Sequence, residues 1–116
     1  FHPSPFHSPL RSWPQGMSTC FFGLEVKPGT LYKQIPPLNT HLHLSLAALP
    51  ATVRAGRVSL QVGVKGFQFI VCTLEANKVE QWKTDLNFSA ENEVQFSVQG
   101  DDMIRIHLSG YYQLLE

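Results

Sequence analysis

His41 and His43 are two residues apart, so on an extended strand both imidazoles face the same way. Two such ligands and a third could hold a zinc ion, and His107 is the obvious third candidate. Each of the three also alternates with apolar neighbours, which places it on the solvent face of an amphipathic strand. That reading is preferred, and no metal site is expected. Cys72 lies in an apolar run with no histidine or basic residue beside it, whereas a reactive thiol needs a depressed pKa. It reads as a buried structural thiol. Glu91, Glu93, Asp101 and Asp102 could act as paired acids. They cluster with turn residues, and turn chemistry accounts for them more simply. The sequence has no G-x-S-x-G, no phosphate-cradling glycine loop and no H-E-x-x-H. Catalytic residues, metal and cofactor are therefore all expected to be absent.

The elements that carry these residues read as strands. Leu42, Leu44, Leu46 and Ala48 alternate with His43, Ser45 and Ala47. The same period of two recurs in 58–64, 82–88 (Trp82, Thr84, Leu86, Phe88 on one side), 94–99 and 104–109. Such alternation turns one set to a core and the other to solvent. Pro28-Gly29, Pro36-Pro37-Leu38-Asn39, Lys65-Gly66, Gly100-Asp101-Asp102 and Gly110 break the runs. About eight short strands follow, which indicates an all-β sandwich or jelly roll.

One run departs from the pattern. In 67–74, alternation puts Phe67, Phe69 and Val71 on one face and Ile70, Cys72 and Leu74 on the other, with only Gln68 and Thr73 polar. A sandwich strand normally shows one face to water. A strand apolar on both faces needs a second cover, either a loop of its own chain or a neighbouring subunit. Phe67, Phe69, Ile70, Cys72 and Leu74 are accordingly the expected oligomer interface.

Composition narrows the classes. The chain has 116 residues, one domain's worth, with 43% hydrophobic and 16% charged residues, a globular composition. Nine Lys+Arg against nine Asp+Glu leave a formal net charge of +0, which argues against a dedicated nucleic-acid binder. No apolar stretch approaches the ~20 residues of a membrane span. The two cysteines make no disulfide framework and read as reduced thiols of an intracellular protein. Residues 1–16, with four of the chain's eight prolines, read as a disordered leader or cloning remnant. Met17 looks like a natural start, and residues 17–116 are the expected domain.

Three stretches carry a family resemblance. Phe21-Phe22-Gly23-Leu24-Glu25-Val26-Lys27-Pro28-Gly29 resembles the opening of nucleoplasmin-like domains, closest to the branch in nuclear FK506-binding immunophilins and plant HD2-type (tuin) histone deacetylases. Phe22 stands where that family usually has Trp. His41-Leu42-His43-Leu44-Ser45-Leu46-Ala47-Ala48-Leu49 is similar to the family's second strand, and Ile106-His107-Leu108-Ser109-Gly110-Tyr111-Tyr112 to its closing strands. The resemblance covers about 17–116.

It implies an eight-stranded jelly roll in a ring homopentamer, sometimes a decamer. It also implies a nuclear histone chaperone that takes histones H2A-H2B and/or H3-H4 and assists nucleosome assembly. No enzyme activity is expected in this domain, since none of its residues form a constellation to transfer from the family, and no direct nucleic-acid partner or membrane is expected. The family's acidic tracts are missing from Gln34-Ile35-Pro36-Pro37-Leu38-Asn39-Thr40, and the chain stops at Leu114-Leu115-Glu116, where a tail would start. A core fragment of a longer protein is expected, with an acidic tail and any prolyl isomerase domain beyond it. Glu91, Glu93, Asp101 and Asp102 are the expected histone contacts. The alternatives are part of a tuin-type histone deacetylase and a monomeric ligand-binding jelly roll.

Overall fold

A computed structural model describes residues 18–115. The expected leader 1–16 and Met17 lie outside the described residues. Eight strands follow in order: β1 (Thr19–Val26), β2 (Tyr32–Gln34), β3 (Thr40–Ala48), β4 (Arg57–Val64), β5 (Phe67–Glu75), β6 (Gln81–Phe88), β7 (Val94–Gly100) and β8 (Ile106–Leu114). They form two four-stranded sheets, ordered β1-β8-β3-β6 and β2-β7-β4-β5, and every pairing is antiparallel. This order is a jelly roll, as the count of alternating runs led us to expect.

The core lies between the sheets. Phe22, Leu24 and Val26 of β1 meet Val58, Leu60, Val94 and Phe96 of the other sheet within one cluster, joined by Leu42, Leu44, Leu74, Ile106, Leu108 and Tyr112. Phe22 packs edge-on against Tyr112, with ring centroids 5.6 Å apart. The Tyr112 hydroxyl donates to Gln34 Oε1 at 3.2 Å, so the largest buried side chain has a polar partner in the opposite sheet. The β4–β5 hairpin turns on Lys65 and Gly66, both at positive φ (53° and 85°), as a two-residue primed turn requires.

Two bulges change which residues reach the core. In β3, Leu44 pairs with Gly110 and Leu46 with Ser109, so Ser45 is an extra residue. Beyond it the inward phase shifts by one. Ala47 is fully buried, while Leu46 and Ala48, expected in the core, are only partly covered. The neighbouring β6 absorbs the same irregularity at Asp85, which has φ 49°. In β5, Leu60 pairs with Cys72 and Gln61 with Ile70, which leaves Val71 as the extra residue.

The second bulge corrects the two-faced reading of 67–74. Phe67, Phe69, Cys72 and Leu74 all pair with inward residues of β4 (Val64, Val62, Leu60 and Val58), so they lie on one side of the sheet. Cys72 (8% exposed) and Leu74 (0%) enter the protein's own core and cannot form a subunit contact. Phe67, Phe69 and Ile70 stay exposed in the hairpin-side half of edge strand β5, Ile70 on the outer face opposite Gln61.

Candidate interaction surface

Apart from Met103, between β7 and β8, and Leu115, just after β8, the exposed large apolar residues fall on two flanks. β5 and β6 are the edges of their respective sheets on one side of the sandwich, and β1 and β2 are the edges on the other. The β5/β6 flank carries Phe67, Phe69 (62% exposed), Ile70, Val79 and Trp82 (51%). Trp82 was expected in the core. It pairs with inward Ala47 yet stays half-exposed at the start of β6, an edge strand whose far end packs on the core through Leu86 and Phe88. The β1/β2 flank carries Phe21 (70%), Leu31, Ile35 and Leu38. Sequence reasoning missed this second flank, because its residues are single apolar positions in turns and on an outward face. Their only signal is that four large apolar residues stand where turn or solvent-facing residues are usual.

The four acidic candidates divide into two pairs. Glu91 and Glu93 lie in the β6–β7 loop, and Asp101 and Asp102 lie just after β7. Seven strand residues separate the pairs, about 20 Å along the chain direction. Glu91 sits at φ 66°, and its N–H donates to the Pro36 carbonyl at 3.1 Å. Glu93 Oε2 accepts from Gln95 Nε2 at 2.8 Å. Asp101 Oδ1 accepts from the Met103 N–H at 2.9 Å, which is the turn chemistry expected of it. Asp102 is exposed.

The histidines do not converge. His41 pairs with Gln113, while His107 lies six residues away along β8, about 20 Å distant. His43 Nδ1 is 2.8 Å from Asn87 Oδ1, its Nε2 is 3.2 Å from Asp85, and its ring stacks on Tyr111 at 4.9 Å. Both of its nitrogens are engaged by β6 side chains. Among the described residues, no three His, Cys, Asp or Glu side chains come together as a metal site. Burial pushes the thiols of Cys72 and Cys20 above the usual cysteine range, which makes them less nucleophilic.

A further cluster was not anticipated. Glu25 Oε2 accepts from His107 Nε2 at 3.0 Å and from Arg105 Nη1 at 3.2 Å. The hydrogen bond from His107, then the one from Arg105 with its charge, hold the Glu25 carboxyl below the ordinary glutamate range. Eighty-two residues separate Glu25 from His107 in sequence, and only the β1–β8 register makes them partners.

A jelly-roll β domain with two apolar edge flanks is the class this architecture defines. The chain belongs to the nucleoplasmin-like domain family, whose model matches residues 21–113. It is 39% identical over 93 residues to FK506-binding protein 4 of Rhizopus delemar, covering 79% of this chain and 23% of that protein. It is 34% identical over 92 residues to the 46 kDa FK506-binding nuclear protein of Spodoptera frugiperda (78% and 21%). It is also 33% identical over 91 residues to histone deacetylase HDT2 of Zea mays (78% and 29%). The chain thus spans about a quarter of the length of these curated relatives. Among solved structures, the nucleoplasmin-like N-terminal domain of Drosophila FKBP39 superposes with TM-score 0.67 at 28% identity, covering 88% of this chain and 96% of that one. The Drosophila NLP core, whose crystal structure addresses pentamer formation and histone binding, superposes with TM-score 0.72 at 14% identity (84% and 99%), a likeness of fold.

Proposed function

We propose that this domain is the self-associating core of a nuclear histone chaperone of the FK506-binding type, with no enzymatic role of its own. The observation that carries the reading is the pair of unlike apolar flanks on opposite edges of one sandwich. A contact between two different surfaces of identical chains is head-to-tail, and it closes into a ring when the rotation per subunit permits. Phe67, Phe69, Ile70 and Trp82 of one copy would meet Phe21, Leu31, Ile35 and Leu38 of the next. A homopentamer is the closed form proposed, by analogy with the pentamer named for the Drosophila core.

A ring multiplies weak sites by holding several copies at high effective concentration. Histones are strongly basic, and carboxylates at Glu91, Glu93, Asp101 and Asp102 would attract them locally. With +0 net charge the domain has no long-range field to steer them. Its histone binding should therefore be weak and salt-sensitive, and acidic segments of a longer protein would supply the rest. Nuclear placement follows the name of the Spodoptera relative. The chaperone reading is preferred to a deacetylase one because it gives the two apolar flanks a role, which a deacetylase reading does not.

Light scattering behind a sizing column, followed by titration with H2A-H2B and with H3-H4, tests the proposal. A mass near five times the monomer together with saturable histone binding supports it. A monomer that binds neither histone pair ends it.

A further inference from the structure

The four sheet edges are unequally guarded. An edge strand leaves a row of backbone N–H and C=O groups unpaired, and charged side chains, prolines, bulges or short length normally keep another strand from adding to it. β2 is three residues long and carries Lys33. β6 carries Lys83 and Asp85 and is irregular where it passes Ser45. β1 has Gly23, which weakens a strand from within, and Glu25. β5 has neither a charge nor a proline from Phe67 to Leu74. Its one guard is the bulge at Val71, which leaves the hairpin end of the strand regular from Phe67 to Ile70.

This short run is complementary to itself. Phe67 and Phe69 lie on the inner side of the sheet and Gln68 on the outer side, and all three are exposed. An antiparallel copy of the strand keeps inner sides together only when the two-fold axis passes through a residue. An axis at Phe69 would set Phe67 against the bulged Val71. An axis at Gln68 sets Phe67 against Phe69 of the second copy, twice over, and Gln68 against itself. The first gives two cross-strand aromatic pairs. The second joins two carboxamides, each a donor and an acceptor. Gln68 Oε1 accepts from Gln61 Nε2, and the Gln68 Nε2 is left to donate across the axis.

We propose that a second copy of this chain adds to the free edge of β5 in antiparallel two-fold pairing centred on Gln68. This contact goes beyond the head-to-tail ring. It rests on that reading only in that both draw on Phe67 and Phe69, so one chain cannot make both contacts at once. The two-fold contact uses one flank of each copy, whereas the ring uses two. Copies outside a ring thus cover the unguarded edge in pairs.

The test uses the whole chain. Residues directly opposite in an antiparallel pair have Cα atoms about 4.5–5.5 Å apart, which is within disulfide reach. Gln68→Cys should therefore give a covalent dimer under mild oxidation. A head-to-tail contact sets a residue against a different one, so the ring does not give this product. Gln95→Cys, on the same outer face but on an inner strand, is the control, and Cys20 and Cys72 are common to both variants. Ile35→Ser alters an exposed residue of the other flank. By light scattering over a concentration series it should reach twice the monomer mass and no more, whereas Phe69→Ser should stay a monomer. A monomeric Ile35→Ser, or no more covalent dimer from Gln68→Cys than from Gln95→Cys, overturns the proposal. If Ile35→Ser fails to fold, the Gln68→Cys product decides alone. A wild-type mass of twice the monomer together with that product sinks the ring reading and leaves β5 pairing. A wild-type mass near five times the monomer without that product does the reverse.

Discussion

The backbone carbonyl oxygen of His43 occupies the space where a side chain on Gly110 would begin. Leu44 pairs with Gly110 at the point where Ser45 bulges out of β3, and the two backbones meet there with nothing between them. The glycine of the closing Ile106-His107-Leu108-Ser109-Gly110 segment is therefore a packing requirement of the bulge. A Gly110→Ala substitution should cost about 3 kcal/mol, since either β3 or β8 must move. Denaturant unfolding checks this. A loss below about 0.5 kcal/mol would mean that the strands separate more easily than their register suggests.

The apolar residues of β5 should separate into two classes. Leu74→Ala removes a fully buried side chain and should cost about 2–5 kcal/mol in unfolding. Phe69→Ser acts on an exposed position and should change unfolding of the isolated subunit by only about 0.5 kcal/mol. If the flank is a subunit contact, Phe69→Ser should instead lower the mass measured by light scattering. An unchanged multimer would remove Phe69 from the contact.

Trp82 offers the same test from the other sheet. A Trp82→Ala variant should keep its fold and weaken assembly. Its indole fluorescence in the wild type should shift to the blue as the protein is concentrated from monomer to multimer. A constant emission maximum over that range would place Trp82 outside the contact.

Glu25 predicts an acid dependence. Its folded pKa lies below the unfolded value, so its contribution to stability is complete above the unfolded glutamate range and disappears as pH falls through the depressed folded value. A Glu25→Gln variant should be slightly less stable than the wild type at pH 7 and converge on it below about pH 4, where an ordinary glutamate protonates. The effect should be small, because the carboxylate is more than a third exposed. Thermal melts of both proteins across that range read the difference. A constant gap down to pH 3 would show that the carboxylate charge is not its source.

Tyr112→Phe should cost about 1 kcal/mol, because it strands the buried Gln34 amide oxygen. Adding Gln34→Leu should recover part of that loss, since an apolar pair needs no hydrogen bond. Additive losses in the double variant would show that the two side chains act separately.

The sequence by itself determined the all-β class, the eight strands and most of the core, because side chains on a strand alternate whatever surrounds them. It also marked 67–74 as too apolar for an ordinary sandwich strand. Only the tertiary structure decided which residues of that run are free. A bulge is a mismatch between two strands, so Val71 and Ser45 become extra residues only once β4 and β8 set the register. That one-residue slip takes Cys72 and Leu74 into the core, and it exchanges Ala47 for Leu46 and Ala48. Likewise, Trp82 alternates as a core residue should and is exposed near the start of edge strand β6, while Leu86 and Phe88 further along it reach the core. Edge position, register and the meeting of Glu25 with His107 are relations between distant segments, and local periodicity carries no information about them.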